Sequence, residues 1–144
     1  VTDGITIFDV QDPRFLAPGN MPKRIFDWCR ERGERMPVGK PAVLRSIVES
    51  LAQAFAEALD TASRLSGQSI GIVHVVGGGS LNRLLCQATA DRSGRPVLAG
   101  PVEATALGNV LVQARALDAI GGNLAELRAL IASTQDLVRF DPRA

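Results

Sequence analysis

Cysteine and histidine are scarce in this sequence: Cys29, Cys86 and the single His74 are all that 144 residues contain. Two thiols cannot build a disulfide framework or supply the paired-thiolate ligands of a structural zinc site, and one histidine cannot complete a metal pair. A reducing cytoplasm fits such a chain, and no metal site is expected within it. An excess of charge is missing too. Sixteen Lys+Arg against fifteen Asp+Glu leave a formal charge of +1, so no broad basic field exists to hold nucleic acid or an anionic membrane by counterion release. No apolar run approaches the length of a membrane span, and Val1-Thr2-Asp3-Gly4 has neither the charged region nor the apolar stretch of a signal peptide. What is present, 46% hydrophobic and 22% charged residues, can bury a sizeable core, and the length fits one domain or a piece of one. The first residue is Val rather than Met, which suits either processing or a piece of a longer protein.

Hydrophobic periodicity organises the rest. Residues 1 to about 20 mix apolar patches (Ile5, Ile7, Phe8) with turn signals at Asp12-Pro13 and Pro18-Gly19, and read as an irregular arm. Asn20 is placed to cap a short helix with Pro22 in its first turn and Ile25, Phe26 and Cys29 on one side, stopped near Gly33. A loop containing Pro37, Gly39 and Pro41 follows. From Val43 to Leu65, apolar residues recur at three- and four-residue steps until Gly67, which predicts a long amphipathic helix. Ile70 to Val76 is a β-branched run with almost no alternation, as expected of a strand covered on both faces in a parallel sheet. Gly77-Gly78-Gly79 breaks it, Ser80 sits where an N-cap would, and a helix runs on to a glycine stop at Gly94. Arg95 to Ala99 reads as a second strand, Gly100-Pro101 as a turn, and Glu103 to Leu117 as a helix in which Ala104 and Gly108 would let a neighbour approach closely. Asn123 and Glu126 form a capping-box pattern opening a last helix. The tail after Ser133 carries little signal.

The alternation predicts an α/β fold with a parallel sheet. Two strands alone would leave much of the helices' apolar area uncovered, so sheet strands are inferred to be missing from this chain.

Chemistry concentrates at Gly77-Gly78-Gly79-Ser80, between a strand and a helix start. Glycine removes the Cβ that would hold a ligand away, and free N–H groups at the helix start favour an anion such as phosphate. The same cluster also serves as a tight connector with no ligand. It lacks the lysine of a P-loop and the spacing of a dinucleotide fingerprint. Asn82, one turn into the helix on this reading, could reach a base or sugar bound over the turn, although a helical Asn is commonly just solvated. His74, inside the buried run, reads as a hydrogen-bonded core residue, and Cys29 and Cys86 read as structural thiols. Asp91 and Glu103 are single carboxylates near element ends, and neither is an evident partner of the other.

The stretch Val73-His74-Val75-Val76-Gly77-Gly78-Gly79-Ser80-Leu81-Asn82-Arg83-Leu84-Leu85 closely resembles the C-terminal region of the bacterial rhamnulokinase group of FGGY carbohydrate kinases. So do Ala90-Asp91, Gly94-Arg95-Pro96-Val97 and Gly100-Pro101-Val102-Glu103-Ala104-Thr105-Ala106-Leu107-Gly108-Asn109. The resemblance extends upstream through Asp12-Pro13-Arg14-Phe15-Leu16, Pro18-Gly19 and Met21-Pro22, and so covers nearly the whole chain. It implies an actin-like, ribonuclease H-like ATPase fold of two lobes, of which residues 1–144 are a partial C-terminal, nucleotide-side domain. ATP, with Mg, and a ketose sugar would share the cleft, and the γ-phosphoryl group would pass to L-rhamnulose. It further implies nucleotide contacts at Gly78, Gly79 and Asn82. The first lobe, the catalytic aspartate, most sugar contacts and the opening strands of the second lobe are expected upstream. Asp3-Gly4-Ile5-Thr6 is similar to the Asp-x-Gly-Thr phosphate loop of actin-like kinases, but its glycine is misplaced and no hairpin strand follows. Other FGGY specificities, of L-fuculose or L-xylulose type, and a non-catalytic dimerisation module of the same fold are the alternatives. The fragment alone is expected to be inactive and prone to self-association.

Overall fold

The computed structural model describes residues 5–143, so Asp3 and Gly4 of the Asp3-Gly4-Ile5-Thr6 motif lie outside the described residues. Helix α1 (Met21–Arg32) begins as the sequence predicts, with the Asn20 side chain accepting from the Lys23 N–H and Pro22 in the first turn. Gly33 ends it in the left-handed region at φ +67°, a conformation glycine adopts without steric cost. Helix α2 (Gly39–Ser66) starts four residues ahead of the Val43 expected from periodicity. Pro41 does not delay it, because a first-turn residue has no intrahelical acceptor for its N–H to lose.

The arm lies against these two helices. The Thr6 and Phe8 N–H groups donate to Ser46 Oγ at 3.3 Å and Ser50 Oγ at 3.0 Å, so two buried α2 hydroxyls receive alternate amides of an extended segment. Phe8 then packs with Ile25, Trp28, Cys29 and Val43 in a first core. Arg24 gathers the arm's return by donating to the carbonyls of Arg14, Ala17 and Pro18.

A second core sits on the sheet. Strand β1 (Val73–Val75) pairs in parallel with β2 (Val97–Ala99), and β3 (Val138–Phe140) pairs antiparallel with β2 on its other side. The sheet is therefore mixed and three-stranded, in the order β1-β2-β3: the incomplete parallel-mixed sheet that the resemblance implies, with the two predicted strands joined by a third from the tail after Ser133. Cys86 and Ala90 of helix α3 (Arg83–Ser93) pack on Val97, Ala99 and Phe140, with Val73 and Val75 against them. The expectation that the Ile70 to Val76 run is a strand covered on both faces is corrected. Only three residues pair, β1 is an edge strand among the described residues, and His74 is exposed.

The two cores are joined where α2 crosses α3. Buried Glu49 accepts from Arg92 Nε at 2.8 Å and pairs with Arg45 one turn back, while Arg92 also donates to Gln53 at 2.9 Å. Helices α4 (Ala104–Ala116) and α5 (Leu124–Thr134) close the chain, the latter opened by the expected Asn123–Glu126 capping box. α4 buries no residue, and a Cβ built on Gly108 would meet nothing within 4 Å, so the expected close helix approach at Ala104 and Gly108 has no partner among the described residues. No helix is long and apolar enough to cross a membrane among those residues.

Candidate functional site

β1 and β2 run parallel and end side by side, and the loops leaving their carboxyl ends form the candidate site. Ligands of open α/β sheets collect at this end, because successive loops diverge there and following helices present their N-termini.

The first loop is a 3-10 turn over Gly77–Leu81. Gly77 takes φ +73°, so its glycine is required by backbone conformation. Its N–H donates to the Pro101 carbonyl at 3.1 Å, which ties the first loop to the second. Ser80 Oγ donates back to the Gly77 carbonyl at 2.6 Å and is buried. The turn is thus locked from within. Gly78 and Gly79 differ from Gly77. Both are exposed; a Cβ on Gly78 would meet nothing within 4 Å, and one on Gly79 would make only an ordinary 3.8 Å contact with Val75. Neither packing nor backbone conformation demands glycine at these two positions, so the bare, open backbone there is available to a molecule lying over the turn.

Two sequence readings are corrected here. Ser80 is not the cap of the following helix; its hydroxyl closes the turn, and the helix begins later, at Arg83. Asn82 does not lie one turn into that helix either. It is the N-cap of α3, with Oδ1 accepting from the Leu85 N–H at 3.1 Å. Capping by Asn and by Ser is comparably favourable, and local sequence does not choose between them; the 3-10 turn settles it by consuming the residues before Asn82. The cap occupies Oδ1 of this exposed residue, and its backbone N–H donates to the Gly79 carbonyl at 3.1 Å.

The second loop starts at Gly100, whose N–H donates to the Val75 carbonyl at 2.8 Å. Gly100 has φ +113°, and a Cβ there would lie 3.1 Å from the Asp136 carbonyl oxygen, so it is a close-approach glycine that the sequence reading saw only as a turn. The Gly100–Pro101 peptide is cis.

His74 is exposed on the edge strand rather than held in a core. Cys29 and Cys86 are both buried and unpaired, and burial pushes each thiol's pKa up, which suits a structural thiol and opposes a nucleophile. Asp91 has partners that the sequence did not reveal. Burial works against its ionisation, but hydrogen bonds from the Arg143 side chain and backbone and from Gln87 outweigh it and hold its carboxyl below the ordinary range. That places Asp91 in a structural clasp. Glu103 precedes α4 without a side-chain capping bond. Among the described residues no three His, Cys, Asp or Glu side chains gather as metal ligands.

Comparison with known proteins gives this geometry its context. The sequence model of the FGGY family of carbohydrate kinases, C-terminal domain, matches residues 2–117. A rhamnulokinase of Halalkalibacterium halodurans is 39% identical over 132 residues, which is 92% of this chain and 28% of that protein. Rhamnulokinases of Bacteroides thetaiotaomicron and Klebsiella pneumoniae are each 38% identical over 96% and 94% of this chain, and again 28% of their own length is covered. The chain therefore spans little more than a quarter of the relatives it matches.

Proposed function

The chain belongs to the FGGY family of carbohydrate kinases, as its C-terminal, actin-like domain, and from that membership we propose that it forms the nucleotide-side wall of an ATP-dependent sugar kinase. The reaction is transfer of the γ-phosphoryl group of ATP to L-rhamnulose, giving L-rhamnulose 1-phosphate and ADP in the cytoplasm. The naming of the relatives supports the sugar. The observation that carries the nucleotide assignment is the pair Gly78 and Gly79, open and unconstrained at the carboxyl end of β1.

In this reading, the backbone of Gly78 and Gly79 lies against the nucleotide, and Asn82 offers Nδ2 toward the adenosine while Oδ1 keeps its cap. Such contacts position the nucleotide, which is most of what a phosphoryl-transfer enzyme contributes besides charge stabilisation. The catalytic aspartate, the phosphate loops of the first lobe and most sugar contacts belong to a segment preceding this one. Mg would accompany ATP, as the family membership implies; among the described residues no three His, Cys, Asp or Glu side chains gather as its ligands.

The test uses the full-length protein. Coupled ADP release with L-rhamnulose, L-fuculose and L-xylulose should show preference for L-rhamnulose. Gly78→Val should raise the KM for ATP far more than that for sugar, because a branched side chain would fill the space open over the turn. Turnover with wild-type ATP dependence in a folded Gly78→Val protein overturns the nucleotide assignment, and preference for another ketose overturns the substrate.

A further inference from the structure

A peptide unit between two glycines turns over easily, because neither neighbour carries a Cβ to resist it. Gly77–Gly78 is such a unit, and a Cβ built at Gly78 would meet nothing within 4 Å. Turning over exchanges its two poles. The peptide is trans, so its N–H and C=O point in opposite directions. In one orientation the open side of the turn receives the Gly78 N–H, and in the other it receives the Gly77 carbonyl oxygen. An anion is attracted by the first and repelled by the second.

One side chain holds this unit. Ser80 Oγ donates to the Gly77 carbonyl at 2.6 Å, and Ser80 is buried where Gly78 is exposed. The carbonyl is thus drawn inward and the Gly78 N–H is turned outward, with no acceptor paired to it among the described residues. The i→i+3 pattern of the 3-10 turn favours the same orientation, but such bonds have poor geometry and three of the turn's five residues are glycine, so the hydroxyl supplies the restraint that backbone alone lacks. The carbonyls that follow are held on the α3 side too. That of Gly79 accepts the Asn82 N–H at 3.1 Å, and the Cys86 thiol lies 3.9 Å from it and 3.8 Å from the Ser80 carbonyl.

We propose that Ser80 is a positioning residue of the nucleotide site: its hydroxyl fixes the polarity of the Gly77–Gly78 peptide, so that the turn presents an N–H and not a carbonyl oxygen to the phosphates of the nucleotide. This rests on the nucleotide reading above. Ser80 itself is buried under the turn and acts through Gly78. A donor oriented before the ligand arrives needs no reorganisation on binding. Without the hydroxyl both orientations are populated, and apparent affinity falls in proportion to the fraction with the N–H outward.

The test titrates the full-length protein calorimetrically with ADP and with adenosine, and circular dichroism confirms folding of each variant. Ser80→Ala should bind ADP about tenfold more weakly than the parent, while adenosine, which has no phosphate, should bind unchanged. In turnover the KM for ATP should rise and that for sugar should stay. Ser80→Thr and Ser80→Val fill nearly the same volume and only the first keeps the hydroxyl, so the Thr variant should bind ADP several-fold more tightly than the Val variant. Ser50→Ala is the matched control. It removes another buried serine hydroxyl, one that receives the Phe8 N–H of the arm, and should leave ADP affinity unchanged. Unchanged ADP affinity in Ser80→Ala overturns the proposal, as does equal affinity of the Thr and Val variants. Equal losses for ADP and adenosine overturn it as well, since the turn would then have lost its shape and not its polarity, and a matching loss in Ser50→Ala does so by tracing the effect to global stability. The nucleotide reading is judged separately by Gly78→Val. If that variant also leaves ADP affinity unchanged, the nucleotide does not lie over this turn; if it weakens ADP while Ser80→Ala does not, the reading stands and the role of Ser80 alone fails.

Discussion

Adjacent glycines in the site answer to different demands, and substitution separates them. Gly77 sits at φ +73°, where an L-residue pays about 1–2 kcal/mol, so Gly77→Ala should lower stability by that amount in urea denaturation without any ligand present. Gly78 has open space and an ordinary φ, and Gly78→Ala should stay within about 0.5 kcal/mol of the parent. A large loss of stability for Gly78→Ala would mean that the turn, and not a ligand, demands its glycine. Asn82 needs a different design, because its Oδ1 caps α3. Asn82→Ala should cost about 1 kcal/mol from the lost cap alone. Asn82→Ser restores a capping oxygen but has no amide. In calorimetric titration of the full-length kinase with ADP, equal weakening by both variants assigns Asn82 a nucleotide contact, whereas recovery by Asn82→Ser leaves it only a cap. The glycine cluster was legible in the sequence from composition and position. The division of labour within it was not, since φ and neighbouring atoms depend on where the second loop comes to rest.

Elements were legible in proportion to the apolar periodicity they carry. α1, α2 and α5 declare themselves by stripe and cap, and their starts and stops follow from Asn20, Gly33, Gly67 and the Asn123–Glu126 box. β3 escaped notice because three residues with one buried side chain, Phe140, give no alternation long enough to read. That single residue nevertheless closes the second core, and Arg83 lies over its ring at 5.5 Å. Phe140→Ala should therefore cost about 3 kcal/mol and expose the Val97 and Ala99 amides to exchange. The α2–α3 junction was hidden for another reason: Glu49 and Arg92 are far apart in sequence and become partners only when the helices cross. Removing the carboxylate leaves Arg92 and Arg45 facing each other with no anion. Because both arginines retain some solvent exposure, Glu49→Ala should destabilise by about 2–3 kcal/mol, below the full cost of breaking a completely buried pair. A change under about 0.5 kcal/mol would show that α2–α3 packing rests on apolar contacts alone.

At the scale of the whole molecule, the sequence argument that two strands cannot cover these helices finds its counterpart in α4, which buries nothing, and in α5, which buries only Leu127. What holds the far end of the chain is polar. After β3, the chain returns to α3, where Arg143 Nη2 lies 2.7 Å from Asp91 Oδ2, the Arg143 N–H donates to Asp91 Oδ1 at 2.9 Å, and Gln87 bonds both Asp91 and the Asp141 carbonyl. Asp91 titrates below its ordinary range in the folded chain, since these hydrogen bonds outweigh the opposing effect of burial. A carboxylate depressed by folding adds stability above its unfolded pKa of about 3.9, and that contribution disappears as pH falls through the folded value. Acid should therefore loosen the clasp that pins β3, and through it Phe140, against α3. Stability measured by urea denaturation should be flat from neutral pH to about pH 5 and fall below about pH 4, with β3 amides the first of the sheet to lose exchange protection. Arg143→Ala removes the side-chain donor while the backbone N–H at that position remains, so the variant should be less stable at neutral pH and show a shallower acid decline. If the parent and Arg143→Ala decline in parallel between pH 5 and pH 3, the other carboxylates held low by arginine or lysine partners, such as Asp27 and Glu31, govern acid stability, and the C-terminal clasp contributes nothing to it.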